Sequence, residues 1–184
     1  MKFLITIRQY FLLLILVPLF GFTQEPLTFI GVVEVPGISN DELFIRGREW
    51  FNETFKSSKD VIQIADKETG ELSGKGIMEA KRIYKYFGEE RVCIVIINFS
   101  MSIWVRDGKY RYEISNFFVP QSATLWELGL ITTSNETNTK WPMVSKKKMN
   151  EEYLYVKAGT EIRALEIIED LKLKMEKPSK VTNW

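Results

Sequence analysis

"FSMSIWVRDGKYRYEIS", residues 99–115, is the stretch from which the fold can be read. Asp107-Gly108 sits between two alternating runs. That is the strongest short-range signal for a two-residue hairpin loop, and it predicts a type I′ turn with Gly108 at positive φ. With those two residues in the loop, Arg106 faces Lys109, Val105 faces Tyr110, Trp104 faces Arg111 and Ile103 faces Tyr112. Met101, Ile103, Val105, Tyr110, Tyr112 and Ile114 then share one face. Ser100, Ser102, Trp104, Arg106, Lys109, Arg111 and Glu113 share the other. A slip of one residue would exchange the two sets and bury three cations, so the register is strongly specified.

Upstream, "RVCIVIINF" (residues 91–99) is an apolar strand-like run in which Cys93 reads as a buried, inert thiol. Before it, "GELSGKG" (residues 70–76) looks like the start of a phosphate-cradling loop and fails on inspection. A P-loop needs four residues between its first glycine and the Gly-Lys pair, and a Ser or Thr after the lysine. Here only Glu71, Leu72 and Ser73 intervene, and Gly76 follows Lys75. A hairpin fits better: Val61 to Ala65 outward, "DKETG" turning, Glu71 to Met78 returning. Gly74 and Gly76 then mark a bulge or a close backbone approach on the return strand.

"LTFIGVVEV", Leu27 to Val35, predicts a strand stopped by Pro36-Gly37. Ser39 with Glu42 three places later forms a capping box, and Asp41 adds favourable charge at the helix start. Leu43, Gly47, Trp50 and Thr54, with Phe44, Phe51 and Phe55 beside them, recur at helical spacing and read as core. Gly47 lets that helix lie close on a sheet. Pro120 to Asn150 reads as an irregular loop or insertion, with "SKKKMN" (residues 145–150) a solvated charge run. A second helix follows, with Thr160 at its cap, Ile162, Leu165, Ile168, Leu171 and Met175 inward, and Pro178 past its end. A start near Glu151 with a break at Gly159 is the alternative. The Asn-x-Ser/Thr triplets at Asn52, Asn98 and Asn135 read as chance.

The N-terminus carries Lys2 and Arg8 ahead of an uncharged run from Phe11 to Phe22, the pattern of a secretory signal. The run is too short for a comfortable span of roughly 20 residues. Cleavage is expected between Phe22 and Glu25, giving residues 1–24 as signal peptide, 25–177 as one domain and 178–184 as a tail. An uncleaved anchor is the rival. No stable membrane span remains after cleavage, and lipid attachment at an N-terminal cysteine is excluded because Cys93 is the only cysteine. With a single cysteine there is no intramolecular disulfide; with no histidine there is no Ser-His-Asp or Cys-His chemistry. No cofactor is expected. Loss of Lys2 and Arg8 takes the formal +1 to about −1, so no basic face for nucleic acid is evident.

The order strand, helix, four mostly antiparallel strands, helix is α+β and resembles the β-α-β4-α TATA-binding-protein-like fold, a curved sheet with two helices on one face. The stretch from Val33 to Gly76 also resembles domain of unknown function family 4468, exported bacterial proteins with that fold. The likeness rests on the Asp41-Glu42-Leu43 helix start, Arg46, Trp50, "DVIQ" (residues 60–63), Gly70 and Gly74-Lys75-Gly76, and on "DGKYRYEISNF" (residues 107–117). It covers roughly Leu27 to Phe118 and the last helix. It implies a fold and an envelope address, periplasmic or secreted, and no activity.

These readings favour a non-enzymatic binding module using an open sheet face or edge. Its partner would be an envelope protein or a small ligand, and not nucleic acid. Trp104, Arg106, Lys109, Arg111 and Glu113 are the candidate binding residues. Trp104 beside a cross-strand Arg111 can form a cation–π pair of about 0.5–1 kcal/mol. The plainer role is shielding of the hairpin, stabilising it by about 0.2–1 kcal/mol. The alternative is an enzyme using a carboxylate pair drawn from Glu34, Asp41, Glu49, Asp66, Glu79 and Glu113, whose spacing selects no pair.

Overall fold

The computed structural model describes residues 24–55, 62–121 and 127–180. The expected signal peptide, apart from Gln24, and residues 181–184 of the expected tail lie outside them. The elements run β1 (Phe29–Glu34), α1 (Asn40–Thr54), β2 (Ile62–Asp66), β3 (Glu71–Tyr86), β4 (Glu89–Arg106), β5 (Lys109–Val119), β6 (Gly129–Leu130) and α2 (Lys146–Glu176). The sheet order is β1-β5-β4-β3-β2, with β6 on β5, and every pairing is antiparallel.

Both helices cover the same face, as the alternation in β4 and β5 requires. Leu43, Trp50 and Phe51 of α1 and Val156, Ala164, Ile168 and Leu171 of α2 are buried with Ile97, Met101, Ile103, Tyr110 and Ile114. A Cβ added at Gly47 would stand 2.9 Å from Leu72, so α1 lies as close to the sheet as a glycine permits. The hairpin register is the predicted one: Arg106 faces Lys109, Val105 faces Tyr110, Trp104 faces Arg111 and Ile103 faces Tyr112.

The loop of that hairpin departs from expectation. Gly108 has φ 73°, but Asp107 keeps a negative φ, so the turn is not type I′. Tertiary hydrogen bonds account for this. Asp107 Oδ1 accepts the Asn40 N–H at 2.7 Å, the Gly108 N–H donates to the Ile38 carbonyl, and Val35 N–H donates to the Gly108 carbonyl. The tip is thus fastened to the β1–α1 loop. Positive φ at both central residues occurs instead at Phe87 (52°) and Gly88 (83°), which join a β3 that runs eight residues past Met78 to β4.

As predicted, Glu71 to Gly76 are strand and Gly70 closes the turn before them. Gly70 has φ 71°, and an added Cβ would lie 2.6 Å from the Val105 carbonyl oxygen; one at Gly76 would strike the Phe99 and Phe55 rings. The bulge itself lies on β2, between Ile62 and Ile64 opposite Ser73–Gly74, rather than on the return strand. A second bulge puts Asn116 of β5 at φ 56° and shifts the alternation, so that Phe117 and Val119 point into the core.

Ser39 caps α1, accepting the Glu42 N–H, but the Glu42 carboxylate does not return the bond. It is drawn instead to Arg46 Nε at 2.8 Å and to the backbone N–H and hydroxyl of Ser179 at 2.7 and 2.9 Å. Arg46 also donates to the Met175 carbonyl at the end of α2, and Trp50 Nε1 donates to Asp170 at 2.8 Å. Glu42, Arg46 and Trp50 are therefore the clamp between the two helices.

α2 is one unbroken helix through Gly159, capped by Ser145, so "SKKKMN" forms its first turn rather than a loop. Thr160 is buried mid-helix with its hydroxyl on the Val156 carbonyl, and Ile162 and Leu165 face outward. The true inward row is Tyr153, Val156, Thr160, Ala164, Ile168, Leu171 and Met175. Apolar residues on both sides of the helix concealed that row. Residues 127–145 are irregular but built in: they supply β6, Ile131 N–H donates to Phe117, and Leu27 N–H donates to Ile131. The buried Lys157 Nζ holds them by donating to the Thr133 and Ser134 carbonyls and Asn135.

Candidate functional site: the uncovered sheet face

Opposite the helices, the sheet has no second layer among the described residues. The ladders place its side chains in rows across the strands. Val32, Arg111, Trp104 and Glu71 make one row; Ile30, Glu113, Ser102 and Ser73 make the next; Glu34, Lys109 and Arg106 lie at the turn end. All five candidate residues, Trp104, Arg106, Lys109, Arg111 and Glu113, thus stand on one surface. Arg111 lies over the Trp104 ring, 4.9 Å from its centre, and is held from the other side by Glu113 at 3.1 Å. Arg106 and Lys109 make no ion pair among the described residues.

Val32, Thr69, Trp104, Arg106, Lys109 and Arg111 frame a hollow of about 400 Å³. Tyr110 borders it from the core side, its hydroxyl buried without a hydrogen-bond partner among the described residues. Burial, then the charge of Glu176, push that phenol above its usual range. A larger hollow of about 1160 Å³, lined by Phe55, Gly76, Phe99 and Ile167, opens beside the end of α1, where the chain leaves the described residues.

Four of the six candidate acid–base carboxylates have other partners. Asp41 pairs with Lys67, Glu49 with Lys174 and Glu113 with Arg111, while Asp66 accepts turn N–H groups and is shifted down by Thr69 and Glu68. Among the described residues no group of three His, Cys, Asp or Glu could hold a metal ion, and no helix is long and apolar enough to cross a membrane.

Sequence reading missed the other half of the face. Beyond Asn98, β4 pairs only with β3 among the described residues, so the two strands form an arm. Its uncovered side carries Ile77 (66% exposed), Val92 (62%), Ile83 (54%) and Ile94 (53%), with Ile96 alongside. The signal was there: Val92 to Ile97 is apolar without alternation, the pattern of a strand covered on both faces. The inner side, Cys93, Val95 and Ile97, is covered; the outer is open.

Residues 29–119 match the family described as a domain of unknown function (DUF4468) with TBP-like fold. Residues 29–119 belong to the DUF4468 family. Two solved structures share the fold at a TM-score of 0.60: a TBP-like protein from Parabacteroides distasonis and a DUF4468 family protein from Bacteroides ovatus. The first is 12% identical, covering 84% of this chain and 95% of its own; the second is 14% identical, covering 84% and 89%. No curated protein matches the sequence. The matched stretch contains the α1 residues of the clamp, Glu42, Arg46 and Trp50, together with Gly70 and Gly76. In this DUF4468 domain they fasten helix to helix and strand to strand.

Proposed function

We propose that this DUF4468 protein is exported to the cell envelope, periplasmic or secreted, and acts there as a non-enzymatic binding module whose working surface is the uncovered sheet face. The signal-like residues 2–22 support the address. The observation that carries the binding role is the hollow at the β4–β5 end, where an indole, an apolar Val32 and two cations without ion-pair partners among the described residues converge on one open surface. That chemistry suits a protein segment or small ligand bearing an acidic group beside an apolar one. Nucleic acid fits poorly, because Glu34, Glu71 and Glu113 interleave with the cations along the same rows.

Site-specific photo-crosslinking in cells tests the reading. A crosslinker at Lys109 is expected to trap a discrete adduct that Arg106→Glu diminishes, while one at Glu166, on the outer side of α2, traps none. Equal labelling at both positions, or none at Lys109, would remove the hollow as a binding site.

A further inference from the structure

We propose that the chain self-associates through the outer face of the β3–β4 arm, with a second copy as the occupant. The arm is two-stranded and rests on the N-terminal half of α2. Glu152 pairs with Arg82, Tyr155 Oη accepts the Ile83 N–H, and Gly159 lets the helix approach Ala80. One face is therefore rigidly backed, and the other presents Ile77, Ile83, Val92, Ile94 and Ile96 to water. Exposed apolar side chains gathered on one backed surface mark an interaction site.

The charge pattern selects the partner. Along β3 the outward residues read Lys75, Ile77, Glu79, Lys81, Ile83. Two arms packed face to face about a two-fold axis perpendicular to the strands, passing over Ala80, place each Glu79 over the other copy's Lys81 and each Ile77 over Ile83. The β3–β4 ladder pairs Glu79 with Ile96 and Lys81 with Ile94, so the same axis sets Ile94 over Ile96. Opposite charges meet, and Ile77, Ile83, Ile94 and Ile96 all meet isoleucines, while Val92 falls over Asn98 of the other copy. Neither Glu79 nor Lys81 makes an ion pair within its own chain among the described residues. A surface that complements itself under a two-fold is the requirement for a closed homodimer.

Sedimentation velocity on the purified mature chain tests this, with circular dichroism reporting the fold of each variant. A concentration-dependent dimer is expected. Glu79→Lys and Lys81→Glu each place like charges together twice and should weaken it at least tenfold. The double exchange Glu79→Lys/Lys81→Glu should restore it, and Ile94→Asp should give a folded monomer. A wild-type monomer at every concentration, a dimer indifferent to Ile94→Asp, or a double exchange that fails to recover would each overturn the proposal. The crosslinking at Lys109 is scored separately, so either reading can fail alone.

Discussion

The Arg111 guanidinium sits over the Trp104 ring, 4.9 Å from its centre, directly across the β4–β5 ladder. This contact lies on the uncovered side of a hairpin whose other side is core, so the two faces can be separated by substitution. Arg111→Ala gives up a contact of about 0.5–1 kcal/mol and should leave the domain folded. Ile103→Asp places an unpaired carboxylate where the native side chain is fully buried, which should cost about 3–5 kcal/mol and unfold it. Thermal melts decide between them. A tolerated Ile103→Asp with an unfolded Arg111→Ala would mean that the faces are reversed.

Gly70→Ala tests why the glycines of "GELSGKG" are there. At φ 71° a side chain costs about 1–2 kcal/mol before any contact is counted. Its Cβ would also press on the Val105 carbonyl, whose residue is fixed in the β4–β5 ladder opposite Tyr110. A clear drop in melting temperature is expected, whereas Lys75→Ala should change nothing and added nucleotide should not shift either melt. Nucleotide-dependent stabilisation that is lost with Lys75→Ala would restore the phosphate-loop reading.

Tyr110→Phe should raise stability. The hydroxyl is buried with no partner among the described residues, and an unsatisfied buried polar group costs about 1–3 kcal/mol. For a domain of this size 1 kcal/mol corresponds to a rise of about 2–4 °C in Tm. A lower Tm would mean that a bound water satisfies the hydroxyl.

Glu42 links stability to acid. Burial would raise its carboxyl, but bonds from Ser179 and Arg46 outweigh burial and hold it below its ordinary 4.5. A carboxyl depressed in the folded state contributes stability above the unfolded pKa and loses it as pH falls through the folded value. The melting temperature should therefore decline as pH drops below about 4.5, less steeply in Glu42→Gln. Parallel declines in the two proteins would place the acid sensitivity elsewhere.

What was legible follows from how local each signal is. The Asp107-Gly108 hairpin, its register and the Leu43–Phe55 face of α1 were readable because period and turn chemistry reside in neighbouring residues. The turn type was not, since it is set by hydrogen bonds to Ile38 and Asn40, remote in sequence. Glu42 has the spacing of a capping box, yet its carboxylate is claimed by Ser179 from the far end of the chain. The start of α2 was hidden because three lysines open it, against the helix dipole, and its apolar residues lie on both sides. Of the site, the Trp104 row was legible from alternation. The arm was not, because an uninterrupted apolar run names two apolar faces without saying which one the chain itself covers.

The place of β1 in the sheet also sets an order of events. Phe29 pairs with Ile114, so the first strand finds its neighbour only after roughly 80 further residues have been made, a separation of the kind that slows folding. Until β5 arrives, β1 has no edge to join, and Asp107 is not yet present to fasten the loop ahead of α1. A chain built this way stays open at its leading end until its fifth strand has been made.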